Sequence, residues 1–181
     1  MEKHCDILEN EKFGRYLVAN KDLDADTPPL CLGCYCPVDN IVCTRCGWPI
    51  CSEACEKTAH HQSECDVFSA ANVRFQATVD WSAASPQLDC ITPLRMLIAK
   101  ENDPDRWQRE LEMMETHTDE RKKRQSWEAD QNNILNFLLT RCKLGAKFSK
   151  DLIEKVCGIL AVDIHDGGNS QEVTKFLSIN I

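Results

Sequence analysis

The chain has no apolar run near the ~18 residues that a membrane-spanning helix requires. Its opening, Met1-Glu2-Lys3-His4-Cys5-Asp6, lacks the apolar core and small-residue cleavage site of a secretory signal, so no signal peptide is expected. Basic charge is not in excess: 21 Lys and Arg stand against 29 Asp and Glu, and the formal charge of −8 argues against a general nucleic-acid binder. No segment repeats at periods of ~20–50 residues, which excludes a solenoid or propeller. Tyrosine is nearly absent, with Tyr16 and Tyr35 alone, and residues 66–162 contain only Gly145 and Gly158 as glycines. What remains is an ordinary globular balance, 43% hydrophobic and 28% charged, in 181 residues: one compact domain or two small ones.

Cysteine is the exception. There are 12, and eight fall within residues 31–65: Cys31, Cys34, Cys36, Cys43, Cys46, Cys51, Cys55 and Cys65. Without a secretory signal, such a block reads as a metal site in a reducing compartment, the cytoplasm or nucleus, rather than as a disulfide framework. Cys31-x2-Cys34 and Cys43-x2-Cys46 have the spacing of knuckles that turn two thiolates onto one ion. Cys51-x3-Cys55 and His61-x3-Cys65 have the i, i+4 spacing of one helix face. His61 lies ~40° from Cys65 around a helix and His60 ~140°, so His61 is the expected ligand and His60 is assigned to the surface. Eight ligands make two tetrahedral zinc sites, one with four cysteines and one with three cysteines and a histidine. Cys36 is left as a free thiol. Seven thiolates against two dications make the bound chain three units more negative than its formal −8. A finger with Arg45 and Lys57 against Asp39, Glu53, Glu56 and Glu64 lacks a DNA-reading surface.

The rest of the chain divides by composition. In residues 1–30, Tyr16-Leu17-Val18-Ala19 is a β-favourable run. Residues 66–162 carry helical periodicity. Thr92-Pro93 and Asp103-Pro104 each resemble an N-cap followed by proline at the first helical position. Leu94, Leu97 and Ile98 share one face, and Trp107, Leu111 and Met114 another. A long helix is predicted over roughly 118–143, capped by Thr118, lined by Trp127, Ile134, Leu138 and Cys142, and closed by Gly145. Ser149 would cap a last helix with Ile153, Val156, Cys157 and Leu160 on one side. The run Arg121-Lys122-Lys123-Arg124 is read as a solvated helix face and His165-Asp166 as ordinary surface. Residues 163–181 form an atypical tail.

The ligand order of the cysteine block resembles a MYND-type zinc finger. HIT-type fingers have a similar string, and the flanks decide between them. Gly14-Arg15-Tyr16-Leu17-Val18-Ala19-Asn20-Lys21-Asp22-Leu23 resembles the opening strand of a SET domain. Pro104-Asp105-Arg106-Trp107, Met114-Glu115-Thr116-His117 and Trp127-Glu128-Ala129-Asp130-Gln131-Asn132 resemble the helical insert of the SET-and-MYND family. Leu32-Gly33-Cys34-Tyr35 and Arg45-Cys46-Gly47-Trp48-Pro49 resemble its arthropod-type branch. The resemblance covers roughly residues 13–162. It implies an α+β fold: a SET-like N-terminal fragment (1–30), a MYND finger (31–65), a helical insert (66–162) and the tail (163–181).

In that family the ligand pairs interleave. The resemblance therefore implies one zinc on Cys31, Cys34, Cys51 and Cys55 and the other on Cys43, Cys46, His61 and Cys65. It also implies protein-lysine methyltransferase activity with S-adenosylmethionine, touched by Gly14, Arg15 and Tyr16. The sequence departs from the family here. Tyr16 replaces the second glycine of the opening pair, and the Asn-His-Ser-Cys motif, late catalytic tyrosine and post-SET cysteines are missing. No catalytic residue is assigned. Glu56 follows Cys55 where the family's proline-peptide groove uses glutamine, and no tryptophan lies between Cys55 and His61; Trp48 is read as a packing residue.

The expected function is thus a zinc-binding protein-interaction module of a truncated SET-and-MYND protein, in transcription or chromatin regulation. The alternative is a methyltransferase competent only when the missing half is supplied. The expected partner is a protein, bound through the finger or uncovered helix faces, with neither nucleic acid nor membrane contacted directly.

Overall fold

The computed structural model describes residues 5–10, 14–19, 31–34, 38, 41–76, 86–124 and 126–165, with side chains described at 31–34, 38, 41–59, 61–76, 86–124 and 126–161. The predicted free thiol Cys36 and most of the tail (166–181) lie outside them, as do the side chains of His60 and His165. The chain divides into two compact units, Met1–Ser69 with Arg74–Ala83, and Ala70–Val73 with Ala84–Ile181.

In the first unit, β1 (Cys5–Asn10) pairs antiparallel with β2 (Gly14–Ala19), with Cys5 opposite Ala19 and Asn10 opposite Gly14. α1 (Glu53–Glu56) and α2 (Ala59–Ala71) follow the knuckles. Ser52 caps α1, its hydroxyl accepting from the Cys55 amide at 3.3 Å. Along α2, His61, Glu64, Cys65 and Phe68 recur at i, i+3, i+4 and i+7 and are all buried.

The second unit is helical: α3 (Pro86–Asp89), α4 (Ile91–Asn102), α5 (Pro104–Glu110), α6 (Thr118–Arg121), α7 (Trp127–Asp130) and α8 (Lys150–His165). A π-helix, Gln131–Arg141, continues α7, and a 3-10 turn, Leu144–Ala146, precedes α8. Leu94, Met96, Leu97, Trp107, Leu111, Leu138, Ile153, Val156 and Ile159 are essentially inaccessible to solvent and form its core. Each buried side chain of this size stabilises the unit by about 1.5–3 kcal/mol.

The α+β expectation, with a SET-like β segment, is overturned. Where side chains are described, every regular element is helical. The one sheet among the described residues is the two-stranded β1–β2 hairpin. Tyr16–Ala19 does lie in a strand, but a strand with a single neighbour in a hairpin makes no sheet layer.

Local capping was legible where the cap is a side chain. Asp103 accepts from the Arg106 amide at 2.9 Å, and Ser149 accepts from the Leu152 amide at 3.2 Å. Thr92 is not a cap: α4 begins at Ile91 with Cys90 before it, and Pro93 occupies the first turn, where a missing N–H costs nothing. The long helix predicted over 118–143 is broken. His117 adopts the left-handed conformation ahead of α6, and the chain turns at residues 122–124, directly after the buried Arg121.

The π winding bonds the Cys142 amide to the Phe137 carbonyl, five residues back, at 2.9 Å. It shifts the apolar stripe, so Leu135, Phe137 and Leu138 are buried and Ile134 only partly so. Lys143, not Gly145, takes the left-handed position that closes this helix.

Candidate metal centre

The two knuckles are built by turns. Cys31 to Cys34 is one turn, and Cys43 to Cys46 is the tip of a second, narrow one. That second turn is held by backbone bonds from the Cys43 amide to the Trp48 carbonyl (2.8 Å) and from the Gly47 amide to the Cys43 carbonyl (2.9 Å). Beyond it, Val42 and Pro49 form a bridge. Gly47 stands at φ 74°, and a Cβ there would lie 2.8 Å from the Phe75 carbonyl oxygen, so only glycine closes this turn without strain. The first turn abuts α1 as closely: a Cβ on Gly33 would meet the Cys55 carbonyl oxygen at 2.7 Å.

The expected helical pairs divide. His61 and Cys65 both lie in α2 and face one way. Cys51 and Cys55 do not share a helix: Cys51 precedes the Ser52 cap, and only Cys55 is inside α1. The chain bend at the cap brings the two thiols together, a role that i, i+4 spacing alone did not distinguish.

The eight side chains gather into two groups. Cys31, Cys34, Cys51 and Cys55 form one; Cys43, Cys46, His61 and Cys65 form the other, and within each the donor atoms lie within 4.8 Å of one another. Cys34 Sγ is 3.4 Å from Cys51 Sγ, Cys43 Sγ is 3.8 Å from Cys65 Sγ, and Cys46 Sγ is 3.9 Å from His61 Nε2. A disulfide would bring two sulfurs to about 2.05 Å, and none of the ten cysteines whose side chains are described is in one. Zinc–sulfur bonds of about 2.3 Å at tetrahedral angles give sulfurs about 3.8 Å apart, which matches the second group. Every ligand of the second group is buried; in the first, Cys31 is buried and the other three are partly exposed.

Both groups have a donor set fit for zinc. Sulfur and imidazole donors favour zinc over calcium or magnesium. Burial pushes the Cys43, Cys46 and Cys51 thiols up, and the Cys55 thiol up to about 11 against the opposing Ser52 hydroxyl. A dication reverses that preference by stabilising the thiolates. The structure therefore presents a four-cysteine group and a three-cysteine, one-histidine group, each able to hold one zinc ion.

Packing around the second group is aromatic. Trp48, 2% exposed, stacks parallel to Phe68 with centroids 6.3 Å apart and lies tilted on Phe75 at 4.4 Å. Polar braces lie outside. Glu56 accepts from the Thr44 amide at 3.3 Å, and Arg74 donates to the Thr44 and Arg45 carbonyls at 2.9 and 3.2 Å. Arg45 pairs with Asp66 at 2.7 Å across exposed surface, a contact of small energy. The braces were missed in the sequence because Arg74 and Asp66 are remote from the knuckle they support. Gly14, Arg15 and Tyr16, expected to touch S-adenosylmethionine, lie in β2, and their side chains are outside the described residues.

Compared with known proteins, the chain matches no family model, no curated protein and no solved structure. Among the described residues no helix is long and apolar enough to cross a membrane.

Proposed function

We propose that the chain is a two-zinc, MYND-type protein-interaction module acting in the cytoplasm or nucleus, with a partner in transcription or chromatin regulation. The observation that carries this reading is the crossed grouping of ligands: first pair with third, second pair with fourth. Crossing ties residues 31–65 into one unit that a small apolar core could not hold alone. The acidic finger favours a protein partner over nucleic acid, and burial of Trp48 supports its packing role rather than a place in a peptide groove.

The test pairs native mass spectrometry with affinity capture. Two zinc ions and no saturable S-adenosylmethionine adduct are expected. Partners captured by the zinc-loaded chain should be lost when Cys43 and Cys46 are both changed to serine. A saturable cofactor adduct would instead support the methyltransferase, and capture that is indifferent to zinc would sink the interaction-module reading.

A further inference from the structure

The helical unit contains a cleft of about 370 Å³ whose lining includes none of the eight candidate zinc ligands. This is at the lower end of the size range of small-molecule sites. Pro93, Ile134, Cys157, Leu160 and Ala161 give it an apolar wall, and Arg121, Arg124, Thr92, Ser126, Asp89 and Asp130 give it polar groups. Burial pushes the Cys157 thiol up to about 12, so it stays protonated and belongs to the apolar wall.

Arg121 is the unusual member. Its side chain is 4% exposed, and its guanidinium lies 5.3 Å from the Trp127 ring centre. Among the described residues it donates two hydrogen bonds, to the Glu154 carbonyl at 3.4 Å and to Asp130 at 3.5 Å. Both are at the outer limit for such bonds, and a guanidinium has five N–H donors. A buried cation so loosely served retains the capacity to take a carboxylate in its planar fork. The cleft also borders the π-helix, through Ile134.

Asp89 and Asp130 limit the choice of ligand. They balance Arg121 and Arg124 in formal charge, so a dianion would meet two carboxylates while a monoanion can be accommodated by the guanidinium. We propose that this cleft binds a small monocarboxylate, its carboxylate on Arg121 and its apolar body against Ile134, Leu160 and Ala161. This adds a ligand site to the interaction module and does not depend on the zinc reading.

Isovalerate, its neutral isostere isovaleramide and inorganic phosphate serve as probes, titrated into the zinc-loaded full chain with methyl NMR as the readout. Isovalerate should give saturable shifts at Ile134 and Leu160, and isovaleramide and phosphate much weaker ones. Arg121→Lys keeps the charge and removes the fork, and should weaken isovalerate by roughly tenfold. If that variant does not fold, Ala161→Phe fills the cleft with Arg121 intact and should abolish the shifts. Absence of saturation, equal response to isovaleramide, tighter binding of phosphate, or unchanged binding by folded Ala161→Phe would each overturn the proposal.

Discussion

Cys43 Sγ and Cys65 Sγ lie 3.8 Å apart, although 22 positions separate them in the chain. Cys65 is brought there by α2, which presents it beside His61, and Cys43 by the turn that Gly47 closes. A ligand from the second knuckle thus meets the last helical pair and bypasses Cys51 and Cys55, so the two groups are interlocked rather than arranged in series.

Interlocking makes the double variants informative. Cys34→Ser with Cys51→Ser damages only the first group and should leave one zinc. Cys34→Ser with Cys46→Ser damages both and should leave none tightly held. A sequential arrangement, with both knuckles on one ion, predicts the reverse order. Native mass spectrometry of each protein, purified in reductant without chelator, reads the stoichiometry directly.

Chelation should unfold the finger. Structural zinc sites supply about 10–16 kcal/mol of apparent binding energy at neutral pH, far more than a short finger's apolar contacts. Trp48 reports the loss because it packs against Phe68 and Phe75. Its near-ultraviolet circular dichroism should collapse on metal removal and return with zinc, while Trp107 in the helical unit keeps its signal.

Zinc uptake should strengthen as pH rises. Burial raises the thiol pKa of Cys43, Cys46, Cys51 and Cys55 in the metal-free chain, so protons compete with the ion across the neutral range. The four-thiol group should show the steeper pH dependence, having one more thiol proton to release than the group containing His61. Competition against a chelator at several pH values, with each group isolated by the double variants, tests the order. Equal slopes would count against it.

Gly47→Ala should loosen the second group without touching a ligand. The turn would hold alanine in a left-handed conformation and its Cβ would meet the Phe75 carbonyl, a strain of about 1–3 kcal/mol. Weaker zinc retention with unchanged stoichiometry at saturating metal is the expected result. Affinity equal to the parent would show that the turn relaxes at little cost.

That the cysteine block could hold two zinc ions was legible because metal spacing is local: two residues between the thiols of a knuckle, and three between His61 and Cys65 on one helix face, can be read without a fold, whereas the same spacing at Cys51 and Cys55 did not show that a cap separates them. The same locality made the caps at Asp103 and Ser149 readable. The α+β architecture was not, because a strand such as Tyr16–Ala19 does not state how many strands will join it. Nor was the break in the helix after Arg121, a residue whose burial depends on tertiary packing and not on local spacing. The cleft was invisible for a related reason, since Asp89, Arg121, Asp130 and Cys157 come together only through tertiary packing.

A last prediction concerns Glu112, which ties α8 to the segment after α5. Its carboxylate accepts from the Lys155 ammonium at 3.0 Å and from the Trp107 indole N–H. Those two bonds hold its pKa below the usual glutamate value. A depressed carboxylate pKa contributes stability above the unfolded-state value, and that stability is lost as pH falls through the folded-state value. Glu112→Gln should therefore destabilise the helical unit near neutrality, where the charge on Lys155 loses its partner. The gap from the parent should narrow as pH falls below the ordinary glutamate range and through the depressed folded-state value, where the parent's own carboxylate takes up its proton. Urea midpoints followed by Trp107 fluorescence, measured for both proteins across this range, test the sign. A gap that stays constant with pH would assign the effect to packing around the indole and not to the ion pair.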